Sequence, residues 1–419
     1  MPIQKDRLIE RLAALGHIGS TPEGAVTRLA YTPGYRQAEE MVRTWMEEAG
    51  LKTRIDAVGN LIGRCEGKMS DAPCVMLGSH IDSVVSGGKY DGVLGVLSGV
   101  EVAQALFEDG VELDVPLEVV AFMDEEGTRW ESGLWGSQAI AGQLTNAALQ
   151  RHDRMGVTIA EAMKEWGLDP AQFAAATRSP SEIDSYLELH IEQGAVLENK
   201  GLAVGVVSAI AGALLLSARL SGRADHAGAT PMGSLRHDAM LGAAEMALAA
   251  EAAAMAASPT CVATVGQLEL KPGVFNIIPG EAWMTFDIRD IAETTRDKAE
   301  AGIRESIVDI ARKHGLNVTL EESLRTTPVP LSSMVVEAIS DACVELGLPV
   351  FRLPSGAGHD AQVMTQLADV GMIFVRCREG ISHSPAEYVT PQDAFLGAQV
   401  LHEAVVQLGQ ARDIRRHND

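Results

Sequence analysis

Apolar and polar positions along this chain recur with two different periods, and these sort it into helices and strands. Residues 4–16 and 35–49 carry apolar side chains at three- and four-residue spacing (Leu8, Leu12 and Leu15; Met41 and Trp45), which predicts amphipathic helices. Lys52–Asp56 reads as a strand and Val58-Gly-Asn60 as a turn. Cys74–Ser79 and Leu117–Met123 are unbroken apolar runs, the pattern of parallel-sheet strands covered on both faces. Between them, Val93, Leu97 and Val100 mark one face of a helix from Gly92 to about Asp109, with Gly110 as its stop. Strands alternating with helices indicate an α/β domain. Open sheets of that kind gather ligands outside the carboxyl ends of their strands.

The pattern changes near Ala211. Ala213–Ser221 alternates like a half-exposed strand, and Leu235–Ala257 is an alanine- and methionine-rich helix. Val262–Leu270 and Ala282–Arg289 read as strands and Thr294–His314 as a second long helix. Two helices on an antiparallel sheet make a compact α+β unit. From Pro328 the first pattern resumes with helix Ser332–Leu346, strand Met372–Arg376 and helix Pro391–Leu408. The expectation is an α/β domain with a mixed, mostly parallel sheet flanked by helices, built from residues 1–211 and 328–419. An α+β domain at 212–327 interrupts it.

Composition narrows the function classes. A chain of 419 residues exceeds one ordinary core, and 46% apolar with 22% charged residues describes a soluble globular protein. A formal charge of −23 argues against nucleic-acid or anionic-membrane partners, so an anionic substrate requires a local cationic pocket. No run of about 18 uninterrupted apolar residues predicts a membrane span, and Met1-Pro-Ile-Gln-Lys-Asp-Arg does not read as a signal peptide. Five cysteines, an odd number without C-x-x-C, predict neither a disulfide framework nor a zinc ribbon; a reducing cytoplasm is expected.

Five scattered residues carry the chemistry. His80 ends an apolar run, Asp91 lies in Gly87-Gly-Lys-Tyr-Asp-Gly, and Glu126 closes Val119-Val-Ala-Phe-Met-Asp-Glu-Glu. His190 lies in Leu187-Glu-Leu-His-Ile-Glu-Gln-Gly and His383 in Gly380-Ile-Ser-His-Ser-Pro. Imidazoles and carboxylates are ligands of a catalytic divalent metal, and three histidines with two acids suit two ions sharing a carboxylate. Asp91 is the best candidate bridge. Asp82, two residues past His80, is suited to orient that imidazole. Glu125 and Glu126 are adjacent and diverge, so one ligates and the other acts as base on the metal-bound water. Each piece alone is ordinary: a His-x-Asp is common, and a Glu-Glu pair usually caps a solvated loop. Their joint occurrence points to metal.

These motifs, with Gly78-Ser-His-Ile-Asp-Ser-Val, Asp124-Glu-Glu-Gly-Thr-Arg, Asp225-His-Ala-Gly, Phe275-Asn-Ile-Ile-Pro-Gly, Asp287-Ile-Arg and Ser355-Gly-Ala-Gly-His-Asp-Ala, resemble M20-type metallohydrolases. Within them the likeness is to the hydantoinase/carbamoylase amidohydrolases, because many M20 peptidases look different at His190. The resemblance implies that His80, Asp91 and His190 hold one ion and Asp91, Glu126 and His383 the other (zinc, or manganese, cobalt or nickel), with Glu125 as general base. It implies that the inserted domain dimerises and acts as a lid, that His226 stabilises the oxyanion in the partner's site, that Asn276 and Arg289 grip a substrate carboxylate, and that Gln193 and Gly358 line the pocket. The implied activity is hydrolysis of a ureido C–N bond in a small anionic substrate such as an N-carbamoyl-L-amino acid. Alternatives are an allantoate amidohydrolase, an M20 dipeptidase or aminoacylase, or a scaffold on a dead hydrolase fold. Departures from the pattern are Ala229 for threonine, Trp130 for phenylalanine, and Arg376, which either adds a second cation near the substrate or is solvated or paired with Glu379.

Overall fold

In the computed structural model, which describes residues 3–410, the chain divides into two compact units. One comprises Met1–Ser208, Leu331–Leu353 and His359–Asp419, the other Ala209–Pro330 with Pro354–Gly358. The strands in chain order are β1 (Lys52–Ile55), β2 (Leu61–Cys65), β3 (Cys74–His80), β4 (Leu117–Phe122), β5 (Ile183–Ile191), β6 (Val204–Ile210) and β7 (Gly212–Ser221). There follow β8 (Val262–Thr264), β9 (Leu268–Lys271), β10 (Glu281–Asp290), β11 (Asn317–Arg325), β12 (Val329–Pro330), β13 (Arg352–Ser355) and β14 (Asp369–Val375).

The first unit is built on a mixed sheet in the order β1-β2-β4-β3-β5-β14-β6. The central strands β4, β3, β5 and β14 run parallel, whereas β1-β2, β2-β4 and β14-β6 are antiparallel, so parallel pairing is confined to the middle. Every residue of β3 and β4 is buried, which is why both read as nearly continuous apolar runs, interrupted in β4 by Glu118, which pairs with Arg64 and Arg178. The expected turn joins β1 to β2: Asp56 Oδ1 accepts the N–H groups of Val58 (3.0 Å) and Asn60 (2.9 Å). Helix Val93–Asp109 ends at Gly110, whose φ of 65° only glycine adopts freely.

The second unit is an antiparallel sheet, β11-β7-β10-β8, with β9 also on β10. Alternate residues of β7 and β10 (Leu214, Leu216, Leu220; Met284, Phe286, Ile288) face helices Ala239–Ala257 and Glu293–His314 and form one core with Met246, Ala250, Ile303 and Ile307. The first of these helices begins four residues later than its apolar pattern predicts. Asp238 caps it, accepting Met240 N–H (3.1 Å) and Leu241 N–H (3.3 Å), and Leu235 is left exposed in the preceding loop. Helix Ala239–Ala257 is also long and apolar enough by composition to cross a bilayer, but it packs one alanine-lined face on this sheet. The single strand expected over 262–270 is broken into β8 and β9 around Gln267, which exchanges hydrogen bonds with Thr285.

Candidate metal centre

His80 is the last residue of β3 and His190 the penultimate residue of β5, its parallel neighbour. Glu125 and Glu126 follow β4, and His383 lies in the loop after β14. Asp91 immediately precedes Gly92, the residue before helix Val93–Asp109. Parallel strands bring their carboxyl ends to one edge, and these six residues converge there. Gly92 has a φ of 65°, and a Cβ on it would lie 2.3 Å from His80 Nε2, so only glycine lets the chain turn this close to the imidazole.

The converging atoms form two groups that share one carboxylate. His80, Asp91 and His190 make a wholly buried triad; Asp91, Glu126 and His383 make a second that opens outward at His383. Asp91 Oδ1 lies 3.5 Å from His80 Nε2 and 3.0 Å from His190 Nε2, and its Oδ2 lies 3.4 Å from His383 Nε2. His383 Nε2 is 3.5 Å from Glu126 Oε2. Each oxygen of Asp91 thus serves a different triad, as a bridging carboxylate must. The donor set of imidazole nitrogen and carboxylate oxygen is compatible with a dinuclear site for borderline divalent ions.

Asp82 is the hub behind these candidate ligands. Its two carboxylate oxygens accept the backbone N–H of Glu125 (3.2 Å) and of Glu126 (3.1 Å), and its Oδ1 lies 3.6 Å from His80 Nδ1. One side chain therefore contacts the His80 imidazole and the backbone of both acids after β4. Glu387 does the same for the bridge: its Oε1 accepts Tyr90 N–H (2.8 Å) and Asp91 N–H (3.1 Å), and its Oε2 accepts the Ser382 hydroxyl (3.1 Å). The Ser382 hydroxyl also lies 2.7 Å from Asp91 Oδ2. Asp124, Gln193 and His383 all hold positive φ (56°, 57° and 55°), a concentration of strained backbone around one site.

Electrostatics follow from burial and crowding. Burial would push Asp91 upward, but His190, His383 and His80 hold its carboxyl well below the usual range. Burial raises Glu125 well above an ordinary glutamate, only partly offset by His80. Glu126 is pushed up to about 7 by burial and by Asp91. His383 is raised to about 9, chiefly by its hydrogen bond to Asp91. A cluster in which carboxylates and imidazoles perturb one another this strongly marks a functional site.

Residues 76–407 match peptidase family M20/M25/M40. The chain belongs to this family. Its relatives there are amidohydrolases, enzymes that cleave C–N bonds. An N-carbamoyl-L-amino acid amidohydrolase of Geobacillus stearothermophilus is 47% identical over 408 residues, spanning 97% of this chain and 99% of that protein. An allantoate deiminase of Arabidopsis thaliana is 36% identical over 423 residues, spanning 93% of this chain and 80% of that protein. The crystal structure of an amidase of the hydantoinase/carbamoylase family from Burkholderia multivorans superposes with a TM-score of 0.91 at 35% identity, over 97% of this chain and 98% of that one.

In this M20 amidohydrolase Gln193 lies at the bridge itself: its Nε2 donates to Asp91 Oδ2 (2.8 Å), while its Oε1 is buried with no hydrogen-bond partner among the described residues. That orphaned acceptor can take one further N–H or O–H donor. The structure adds His359, whose role the sequence motif left unassigned. Its buried ring meets that of His190 edge-on at 4.5 Å, and with Glu188 it forms a third ligand-type cluster. Glu188 is already engaged by Ser79 Oγ (2.7 Å), Tyr186 OH (3.1 Å) and Ala361 N–H (2.9 Å).

His226, Asn276, Arg289 and Gly358 belong to the second unit. The exposed His226 accepts two backbone N–H groups at Nδ1, from Gly228 and Ala229 (both 3.1 Å), so the neutral ring carries its proton on Nε2. Loops 225–227 and 276–278 run together through Ala227 N–H to Asn276 O (3.0 Å) and Ile278 N–H to Asp225 O (2.8 Å), placing Asn276 beside the histidine. Arg289 is not a free fork: Asp287 takes its Nε (2.9 Å) and one Nη (2.8 Å), and Gly356 O takes the other Nη (2.8 Å). Arg376 pairs neither with solvent alone nor with Glu379. It holds the buried Asp393 through Nε (3.1 Å) and Nη2 (2.9 Å) at the start of helix Pro391–Leu408.

Proposed function

We propose that the chain hydrolyses N-carbamoyl-L-amino acids: R–NH–CO–NH2 and one water give R–NH2, carbon dioxide and ammonia. The observation that carries this reading is the pair of triads sharing Asp91, with a histidine, His190, completing the buried one and Glu125 beside it. The relatives' activity supports the substrate class.

Two divalent ions, one on each triad, would polarise the ureido carbonyl and lower the pKa of the attacking water. Their identity is zinc, manganese, cobalt or nickel. Glu125 takes the proton from that water and passes it to the leaving nitrogen; a carboxyl raised by burial is suited to both directions. His226 donates its Nε2–H to the carbonyl oxygen as that oxygen gains charge. Asn276 and Arg289 hold the substrate carboxylate, with Asp287 keeping the guanidinium plane fixed, and Gln193 Oε1 accepts a ureido N–H. Gly358 contributes backbone to the pocket wall.

The protein acts as a homodimer through the inserted residues 212–327 and works in the cytoplasm, to which five unpaired cysteines are suited. Ammonia release is assayed with N-carbamoyl-L-amino acids, N-carbamoyl-β-alanine and allantoate, each with added manganese, cobalt, nickel or zinc. Turnover of the first class supports the proposal. Turnover of allantoate alone moves the assignment to the allantoate branch, and turnover of dipeptides or N-acyl amino acids instead overturns it.

A further inference from the structure

The turn that carries His80 and Asp82 is held from behind by a cation that the chemistry above does not use. Arg28 is 1% exposed, yet among the described residues it makes no ion pair. Its guanidinium donates Nε–H to the carbonyl of Ile81 and Nη1–H to the carbonyls of Leu15 (3.1 Å) and Ile18 (3.0 Å). Leu15 and Ile18 flank the carboxyl end of helix Lys5–Gly16, where the helix dipole favours a positive charge. The backbone is tied at the same place: Arg28 N–H donates to Ser83 Oγ (2.9 Å), and Ser83 N–H donates to Arg28 O (3.1 Å). Residues 81 to 83 are therefore clamped to Arg28 by side chain and main chain together.

Burying a guanidinium this deeply is costly unless each donor is matched and a negative charge lies near. Burial pulls Arg28 down to about 10, and the charge that most opposes this is Asp82. Asp82 in turn accepts the N–H groups of Glu125 and Glu126 and faces His80 Nδ1, whose ring nitrogen also lies 3.2 Å from the Asp82 carbonyl oxygen.

We propose that Arg28 is a positioning residue of the metal centre. It fixes the Ile81–Asp82 peptide, and through Asp82 it sets the aim of the His80 imidazole and the Glu125–Glu126 backbone. Arg28 touches no reacting atom. Lysine at this position keeps the charge but cannot direct a planar fork to Ile81 on one side and Leu15 and Ile18 on the other. The inference rests on the two-ion reading for the identity of the ligands.

The test measures Arg28→Lys and Ser83→Ala against wild type in three ways. These are Kd for Zn2+ and Mn2+ by chelator competition, kcat and KM at saturating metal, and the Tm of the metal-free protein. For Arg28→Lys we expect a Kd at least tenfold weaker, on the scale of lost outer-shell support for a metal ligand, and kcat at least tenfold lower with KM within threefold. For Ser83→Ala we expect the same direction at about threefold, with a modest fall in Tm because the buried Arg28 N–H loses its acceptor. A lower Tm with Kd and kcat within twofold of wild type is the behaviour of a staple and overturns the inference. If Arg28→Lys does not fold, Ser83→Ala decides, and metal Kd and kcat indistinguishable from wild type sink it. Wild-type protein that binds neither ion would instead overturn the two-ion reading itself.

Discussion

Glu125 Oε2 lies 3.6 Å from His80 Nε2, although His80 ends β3, Glu125 lies in the loop after β4, and the two are 45 positions apart in sequence. The glutamate's side chain is 11% exposed, so it is held beside a ligand imidazole but is not sealed away from an incoming water. Replacing it by glutamine keeps the shape and removes the base. Glu125→Gln should retain its divalent metal by elemental analysis while kcat falls by at least about a hundredfold. A loss below tenfold would place the base elsewhere.

Asp91 is the one residue common to both triads. Asp91→Asn should therefore lower the content of both ions together, to below one per chain after reconstitution and desalting. Retention of a full single equivalent would show that the triads bind independently and that Asp91 is not the bridge.

Arg289 is planar, preorganised by Asp287 and part-exposed. If it grips the substrate carboxylate, Arg289→Lys should raise KM at least about tenfold with kcat within threefold, because binding common to ground and transition states is lost. A changed kcat with unchanged KM would remove Arg289 from carboxylate recognition.

His226 and Glu125 belong to different units of the chain. If the histidine serves a partner's site, mixing inactive His226→Ala with inactive Glu125→Gln subunits should restore part of the activity through heterodimers. No recovery despite demonstrated subunit exchange would assign His226 to its own chain.

Asn60 is fully buried and spends its amide on Asp56 Oδ2 (2.7 Å) and Gly136 O (3.1 Å) while accepting Met123 N–H (2.9 Å). Asn60→Ala leaves these groups unmatched and should destabilise the first unit by roughly 1–3 kcal/mol. Thermal or denaturant unfolding of the metal-free protein measures it, and a Tm unchanged within error would mean that the groups find other partners.

Much of this site was legible before any coordinates. The five candidate ligands stood out because ligand-type side chains near strand ends sit next to nearly unbroken apolar runs, and β3 and β4 are such runs. Strand β5 was harder. Ile183-Asp-Ser-Tyr-Leu-Glu-Leu-His-Ile has neither strict alternation nor continuous apolarity, because Ser185 and Glu188 are polar yet fully buried. Glu188 is tolerated there only because Ser79, Tyr186 and Ala361 donate to it. Glu387 and Arg28 were invisible for a different reason. Glu387 meets the Asp91 backbone across 296 residues of chain, and Arg28 meets the Ile81 carbonyl across 53. No periodicity reaches over such separations.

What residue type and spacing carry is the chemical vocabulary: imidazoles and carboxylates of the kind that bind divalent ions, adjacent glutamates, and two regions with different hydrophobic rhythms. Those features are local, since residue type and spacing set them within a turn or a strand. Only the tertiary structure decided which atoms meet. It gave each Asp91 oxygen its own triad, made Asp82 the support of three neighbours, occupied Arg289 with Asp287 and Arg376 with Asp393, and turned Nδ1 of His226 onto the N–H groups of Gly228 and Ala229. Hydrogen bonds and charge pairs between distant segments exist only once the sheet brings its strand ends to one edge.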